Sequence, residues 1–181
     1  MTAPGFFTSE WAGAVRDALT AGPSVQARAG KLQMYWDFFE KIKGKYASSW
    51  ALVCRDLPGR PGDPGRPGHP AESGEAVSLF VEWGDGVVTG CRIAAPGDPG
   101  APGDPGDPGA GIHATYTLTM DYRDWKALHE GYDAQRTVMY RKMLLTEGDL
   151  LEFFKSIYFF VECLAVIGGV PAEYPERIGP S

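Results

Sequence analysis

A chain of 181 residues fits one domain, and a domain of that size buries roughly 70% of the surface its unfolded chain exposes, so a core forms without disulfides or metal. Hydrophobic residues at 44% and aromatics at 12% exclude a disordered or fibrous chain. A net charge of −6 with no strongly basic run argues against a nucleic-acid partner. Cys54, Cys91 and Cys163 lie far apart with no C-x-x-C spacing, which suggests neither a zinc site nor a disulfide framework and fits a reducing cytoplasm. Met1 to Thr8 lacks a basic segment followed by an apolar one, so no secretory signal is expected.

The first helix is predicted from Ser9, as N-cap, through Trp11, Val15 and Leu19, which share one face; Ala21-Gly22-Pro23 ends it. Leu32 to Lys45 reads two ways. Leu32, Met34, Trp36 and Phe38 alternate like a strand, whereas Leu32, Tyr35, Phe39 and Ile42 fit a helix, and length together with the lack of β-branched residues before Ile42 favours the helix. Strands are predicted at Trp50 to Cys54, Ala76 to Trp83, Val87 to Ala94 and Ile112 to Met120, with Gly84-Asp85-Gly86 as a tight hairpin turn. A helix carrying Trp125 and Leu128 on one face follows and ends near Gly131; Asp133 caps a short helix through Val138 and Tyr140. Asp121 and Asp124 are read as first-turn acids that serve free N–H groups and the helix dipole, not as a catalytic pair. Lys142 to Glu147 is readable as a fifth strand or as more helix.

Gly148-Asp149 introduces a last helix. Helical spacing places Leu150, Phe154, Ile157, Val161 and Leu164 on one face, with Phe159 and Val166 on the other, so the helix is expected to meet neighbours on more than one side. The apolar run Leu150 to Ile167 is not a membrane span, because Glu152, Lys155 and Glu162 interrupt it. Two tracts stand apart: Gly59 to Pro70 and Gly97 to Pro108 each read as four G-x-P triplets. Four triplets are short for a triple helix, and both tracts interrupt a sheet, so exposed polyproline-II loops are the expectation.

Motifs of common catalytic chemistry are missing: no G-x-S-x-G, H-E-x-x-H, G-x-x-x-x-G-K-[ST] or G-x-G-x-x-G occurs. His69 sits in a G-x-P tract, His113 at a strand start and His129 near a helix end, where surface or capping roles are commoner than general-base catalysis. The cysteines lie in apolar segments, where a thiol behaves as a small hydrophobe. No catalytic residue, cofactor or metal is assigned.

The run Tyr116-Thr117-Leu118-Thr119-Met120-Asp121, followed by Trp125, Leu128, Gly131, Gly148-Asp149 and a terminal apolar helix, resembles the sterol carrier protein 2 (SCP2-like) domain. Lys142 departs from that pattern, standing where the family usually has glycine, and the G-x-P tracts are foreign to it. The resemblance implies one α+β domain over 1–181: a helical part about 6–45, then sheet and helices about 50–168, with Gly-Pro-rich insertions at 58–70 and 96–111. It implies about five mostly antiparallel strands covered on one side by helices, and an apolar tunnel between sheet and helices for sterols, fatty acids or acyl-CoA. Trp125, Met139, Tyr140, Met143, Phe153, Tyr158 and Phe159 fall in the segment that would face such a ligand; Met and Phe adapt to irregular apolar shapes.

Three functions compete on this reading. The first is non-catalytic binding or carrying of a lipid or other hydrophobic small molecule by a cytoplasmic protein. The second is an accessory or dimerisation module, a homodimer forming through the C-terminal helix. The third, least supported, is an enzyme acting on a hydrophobic small molecule through a lone acid such as Asp121 or His129.

Overall fold

The computed structural model describes residues 2–58, 75–94 and 114–175. Three helices come first: α1 (Ser9–Ala21), α2 (Val25–Ala29) and α3 (Gln33–Lys43). Strands β1 (Ser48–Leu57), β2 (Glu75–Gly84), β3 (Val87–Ala94) and β4 (Tyr116–Asp121) follow. The chain continues through α4 (Tyr122–His129), α5 (Ala134–Met139), β5 (Met143–Glu147), α6 (Leu150–Lys155) and α7 (Ile157–Gly168).

The strands form one sheet in the order β3-β2-β1-β4-β5. Within this sheet, among the described residues, β1 and β4 pair in parallel and the other three pairings are antiparallel. Alternation sets which face is buried against the helices. Trp50, Leu52 and Cys54 of β1, Leu79, Val81 and Trp83 of β2, and Tyr116, Leu118 and Met120 of β4 all belong to one core cluster with residues of α1, α3, α4 and α7. Ala51 and Phe80, one register step away, point to the opposite face and lie outside that cluster, with the Arg92 guanidinium 5.0 Å above the Phe80 ring.

Turn chemistry fixes the register. Asp85 and Gly86 both have positive φ, 50° and 77°, the geometry of a two-residue hairpin loop. A Cβ on Gly86 would fall 2.3 Å from the Lys43 carbonyl oxygen, and its N–H donates to the Tyr46 carbonyl, so the hairpin tip docks onto the end of α3. Gly148 is similarly required: at φ 113° a Cβ would meet the Thr115 carbonyl oxygen at 2.6 Å. Asp149 then caps α6 by accepting from the N–H groups of Leu151 and Glu152.

Several expectations are corrected. The N-cap of α1 is Thr8, whose hydroxyl accepts from the Trp11 N–H, and Ser9 is the first helical residue. The helix α2, capped by Ser24, was not anticipated, since five residues carry no periodicity. The favoured helix does form, over residues 33–43, and of the two readings of Lys142 to Glu147 the strand holds, as β5. Asp121 makes no side-chain cap bond: it pairs with Arg55, while the largely buried Asp124 accepts from Lys142 Nζ at 2.6 Å. Lys142 also lies 5.0 Å over the Tyr132 ring.

The largest correction concerns the last helix. It is two helices, with Ser156 (φ −113°, ψ 15°) between them. That break shifts the helical phase, so spacing counted across it fails: Phe154 is 53% exposed and Leu150 54%, whereas Phe159 is wholly buried. The tracts at 58–70 and 96–111, read above as insertions, lie outside the described residues apart from Pro58, as do His69 and His113.

Candidate functional site

Helix α1 turns Trp11, Ala12, Val15 and Leu19 into the core and leaves Ala14, Ala18 and Ala21 on the adjoining flank. Facing that flank is α7, with Glu162, Ala165 and Val166, continuing through Gly169, Val170 and Pro171. Gly22, Pro23 and Ser24 turn the chain into α2, whose Ala27 closes the far wall. Because the facing side chains are small, the helices leave a groove of about 570 Å³ between them, its walls chiefly apolar.

One charged group lies in that wall. Glu162 is 4% exposed, yet its carboxylate is held by partners on the N-terminal segment. Lys31 forms an ion pair with Oε1, and the Tyr35 hydroxyl donates to the same oxygen at 2.6 Å. The Lys31 ammonium also lies 4.5 Å from the centre of the Tyr35 ring. Burial, reinforced by the hydrogen bond to Glu162, pushes the Tyr35 phenol well above its usual value, so it remains a donor. Glu162, Lys31 and Tyr35 were missed as site residues; sequence reasoning met Glu162 only as a charge that interrupts an apolar run.

The seven residues proposed from sequence are not brought together in one site. Trp125 is fully buried against Phe6 and Phe7. Met143 and Phe153 are core, Phe153 packing on Tyr116 and Phe160. Phe159 fills the space between sheet and helices with Phe39, Tyr46 and Trp83, at ring-centre distances of 5.3, 4.6 and 5.0 Å. Met139 and Tyr140 are each 65% exposed at the end of α5. Tyr158 is half-exposed beside Phe38 and Tyr35, the second of which is a partner of Glu162.

Burial pushes the Cys91 thiol up to about 12 and raises Cys54 and Cys163 as well, which disfavours thiolate. Burial lowers His129, whose Nδ1 lies 3.0 Å from the Trp125 carbonyl oxygen. Among the described residues no three His, Cys, Asp or Glu side chains are grouped to hold a metal ion, and no helix is long and apolar enough to cross a membrane.

No protein-family model matches the chain, and neither does any curated protein. Solved structures do. A crystal structure of sterol carrier protein 2 superposes at TM-score 0.59 with 17% identity, covering 92% of this chain and 99% of that one. The fold is that of sterol carrier protein 2. A solution structure of a conserved hypothetical protein from Thermus thermophilus, described as a candidate sterol carrier protein, shares this sterol-carrier fold at TM-score 0.57 and 16% identity, covering 100% of this chain and 96% of that one. At such identities the common ground is architecture: the five-stranded mixed sheet with its helical layer, into which this chain builds its own groove.

Proposed function

We propose that the protein binds and carries a lipid or other hydrophobic small molecule without catalysis, taking its apolar part into the groove between α1, α2 and α7. The groove itself carries this reading: about 570 Å³ bounded by Ala14, Ala18, Ala165, Val166 and Val170 is within the range of roughly 300–1,000 Å³ usual for small-molecule sites. Each methylene buried there contributes about 0.8 kcal/mol. The shared sterol-carrier fold supports the same class of ligand. The groove is preferred to a tunnel between sheet and helices, because Phe39, Tyr46, Trp83 and Phe159 pack that space and would have to move. Native mass spectrometry of the protein purified from cells should show one retained lipid per chain; a protein that carries none and takes up none from vesicles contradicts the reading.

A second reading, a homodimer, is favoured by one observation. Leu150, Leu151, Phe154 and Tyr158 on α6 and α7 are half or more exposed, and Phe38 of α3 lies beside Tyr158. Sedimentation velocity decides it: a dimer that Phe154→Asp dissolves supports this reading, and a monomer at all concentrations removes it.

A further inference from the structure

Glu162 is an odd residue to find in an apolar groove. A carboxylate with 5% of its side chain exposed is costly to bury, and here both of its donors, Lys31 Nζ and Tyr35 Oη, converge on Oε1. No hydrogen bond reaches Oε2 from the described residues, and Glu162 is part of the groove wall. The ion pair with Lys31 balances the charge, so what the groove receives is a fixed acceptor and not a free negative field. Tyr35 and Lys31 also hold the carboxylate in place, so a ligand meeting it orders nothing further.

We infer that the groove selects an amphiphile whose head donates a hydrogen bond to Glu162 Oε2, a hydroxyl or an amine, over one with a carboxylate head. The inference rests on the proposed lipid-binding reading and narrows its ligand class. A carboxylate head at neutral pH has no proton to donate and brings two acceptors against a third, leaving Oε2 unpaired and desolvated. An alkyl alcohol satisfies Oε2 with its one O–H. An alkyl ammonium also satisfies it but faces the nearby Lys31 cation, so the alcohol should bind best of the three.

Calorimetric titration of the whole protein with decanol, decylamine and decanoate tests this. Wild type should bind decanol at least about tenfold more tightly than decanoate, the discrimination expected of one hydrogen bond to a charged acceptor. Glu162→Gln should reverse the order: its amide oxygen keeps the bonds from Lys31 and Tyr35, and its Nε2 then presents a donor to the groove, which suits a carboxylate. Lys31→Met, a change at a side chain 40% exposed, covers the case in which Glu162→Gln fails to fold. It leaves Glu162 uncompensated, so decylamine should gain and decanoate should lose. Equal binding of the three probes to wild type, or an order that neither variant alters, overturns the inference and leaves the lipid reading standing. Binding of none overturns both.

Discussion

Phe154 and Phe159 are five residues apart in one apolar run and should respond in opposite ways to truncation. Phe159 is fully buried, with the rings of Phe39, Tyr46, Trp50 and Trp83 around it at centre distances between 4.6 and 6.0 Å. Phe159→Ala removes a whole ring from close-packed surroundings and leaves a cavity, a change that costs about 3–5 kcal/mol, with the aromatic pairs setting it toward the upper end. Phe154 is 53% exposed, and its truncation should cost under about 1 kcal/mol. In urea, with a slope of about 2 kcal/mol per molar for a chain of this size, the midpoint should fall by roughly 2 M for Phe159→Ala and by less than about 0.5 M for Phe154→Ala. Continuous helical spacing from Leu150 to Ile167 gives the reverse ranking. Equal midpoint shifts, or a larger one for Phe154→Ala, would show that Ser156 does not break the helix as described.

Three other outcomes follow from the geometry. His129 is held neutral by burial, below its usual 6.5, so the unfolded chain takes up a proton there before the folded one does. Stability should therefore fall as pH drops through about 6.5 toward the folded value, and His129→Phe should flatten that fall; an unchanged slope contradicts the assignment. The three thiols should resist an aromatic disulfide reagent in the native protein and all react in denaturant, since burial raises each; fast native labelling of Cys54 or Cys163 would refute this. The two G-x-P tracts should tolerate shortening unequally. Leu57 pairs directly with Glu75, so Gly59 to Pro70 can be cut to a tight turn. Ala94 pairs with Ser78, Ser78 with Val53, and Tyr116 with Trp50, so β3 and β4 are three strands apart laterally and about 10 Å apart along the sheet, roughly 18 Å in all. Because β2 and β1 lie between those ends, the link must also rise over one face of the sheet and return, a path of about 35 Å that needs on the order of ten extended residues; cutting below this should lower the melting temperature sharply while cuts above it do not.

What could be read from sequence follows the physical reach of each signal. The β2–β3 hairpin was legible to within a residue: Gly84-Asp85-Gly86 marked the turn, and the structure narrows it to Asp85 and Gly86, with Gly84 paired to Val87 as the end of β2. The break at Ser156 was not, since serine inside a helical pattern is unremarkable and only packing against Tyr116 and Phe160 turns Phe153 inward while Phe154 turns out. The short helix α2 was invisible for want of a repeat. The groove left a faint trace in the Ala14, Ala18 and Ala21 spacing of α1, which matters only once Ala165 and Gly169 of α7 and its C-terminal end are known to face it. Glu162 lies 131 residues from Lys31 and 127 from Tyr35, so nothing local announces their contact. Sequence reasoning gathered aromatics and methionines as ligand candidates. The structure places most of those in the core or at the surface, and bounds its groove with alanines instead.

The groove between α1, α2 and α7 is the proposed seat of the apolar ligand. Ala165 is exposed on the groove wall, so a large side chain there fills the groove without entering the core. Fluorescence titration with a pyrene-labelled decanol should show one site per chain in the wild type, and Ala165→Trp should weaken binding by at least about tenfold with an unchanged melting temperature. Undiminished binding to Ala165→Trp would place the ligand elsewhere in the fold, and no binding to either protein would contradict the account.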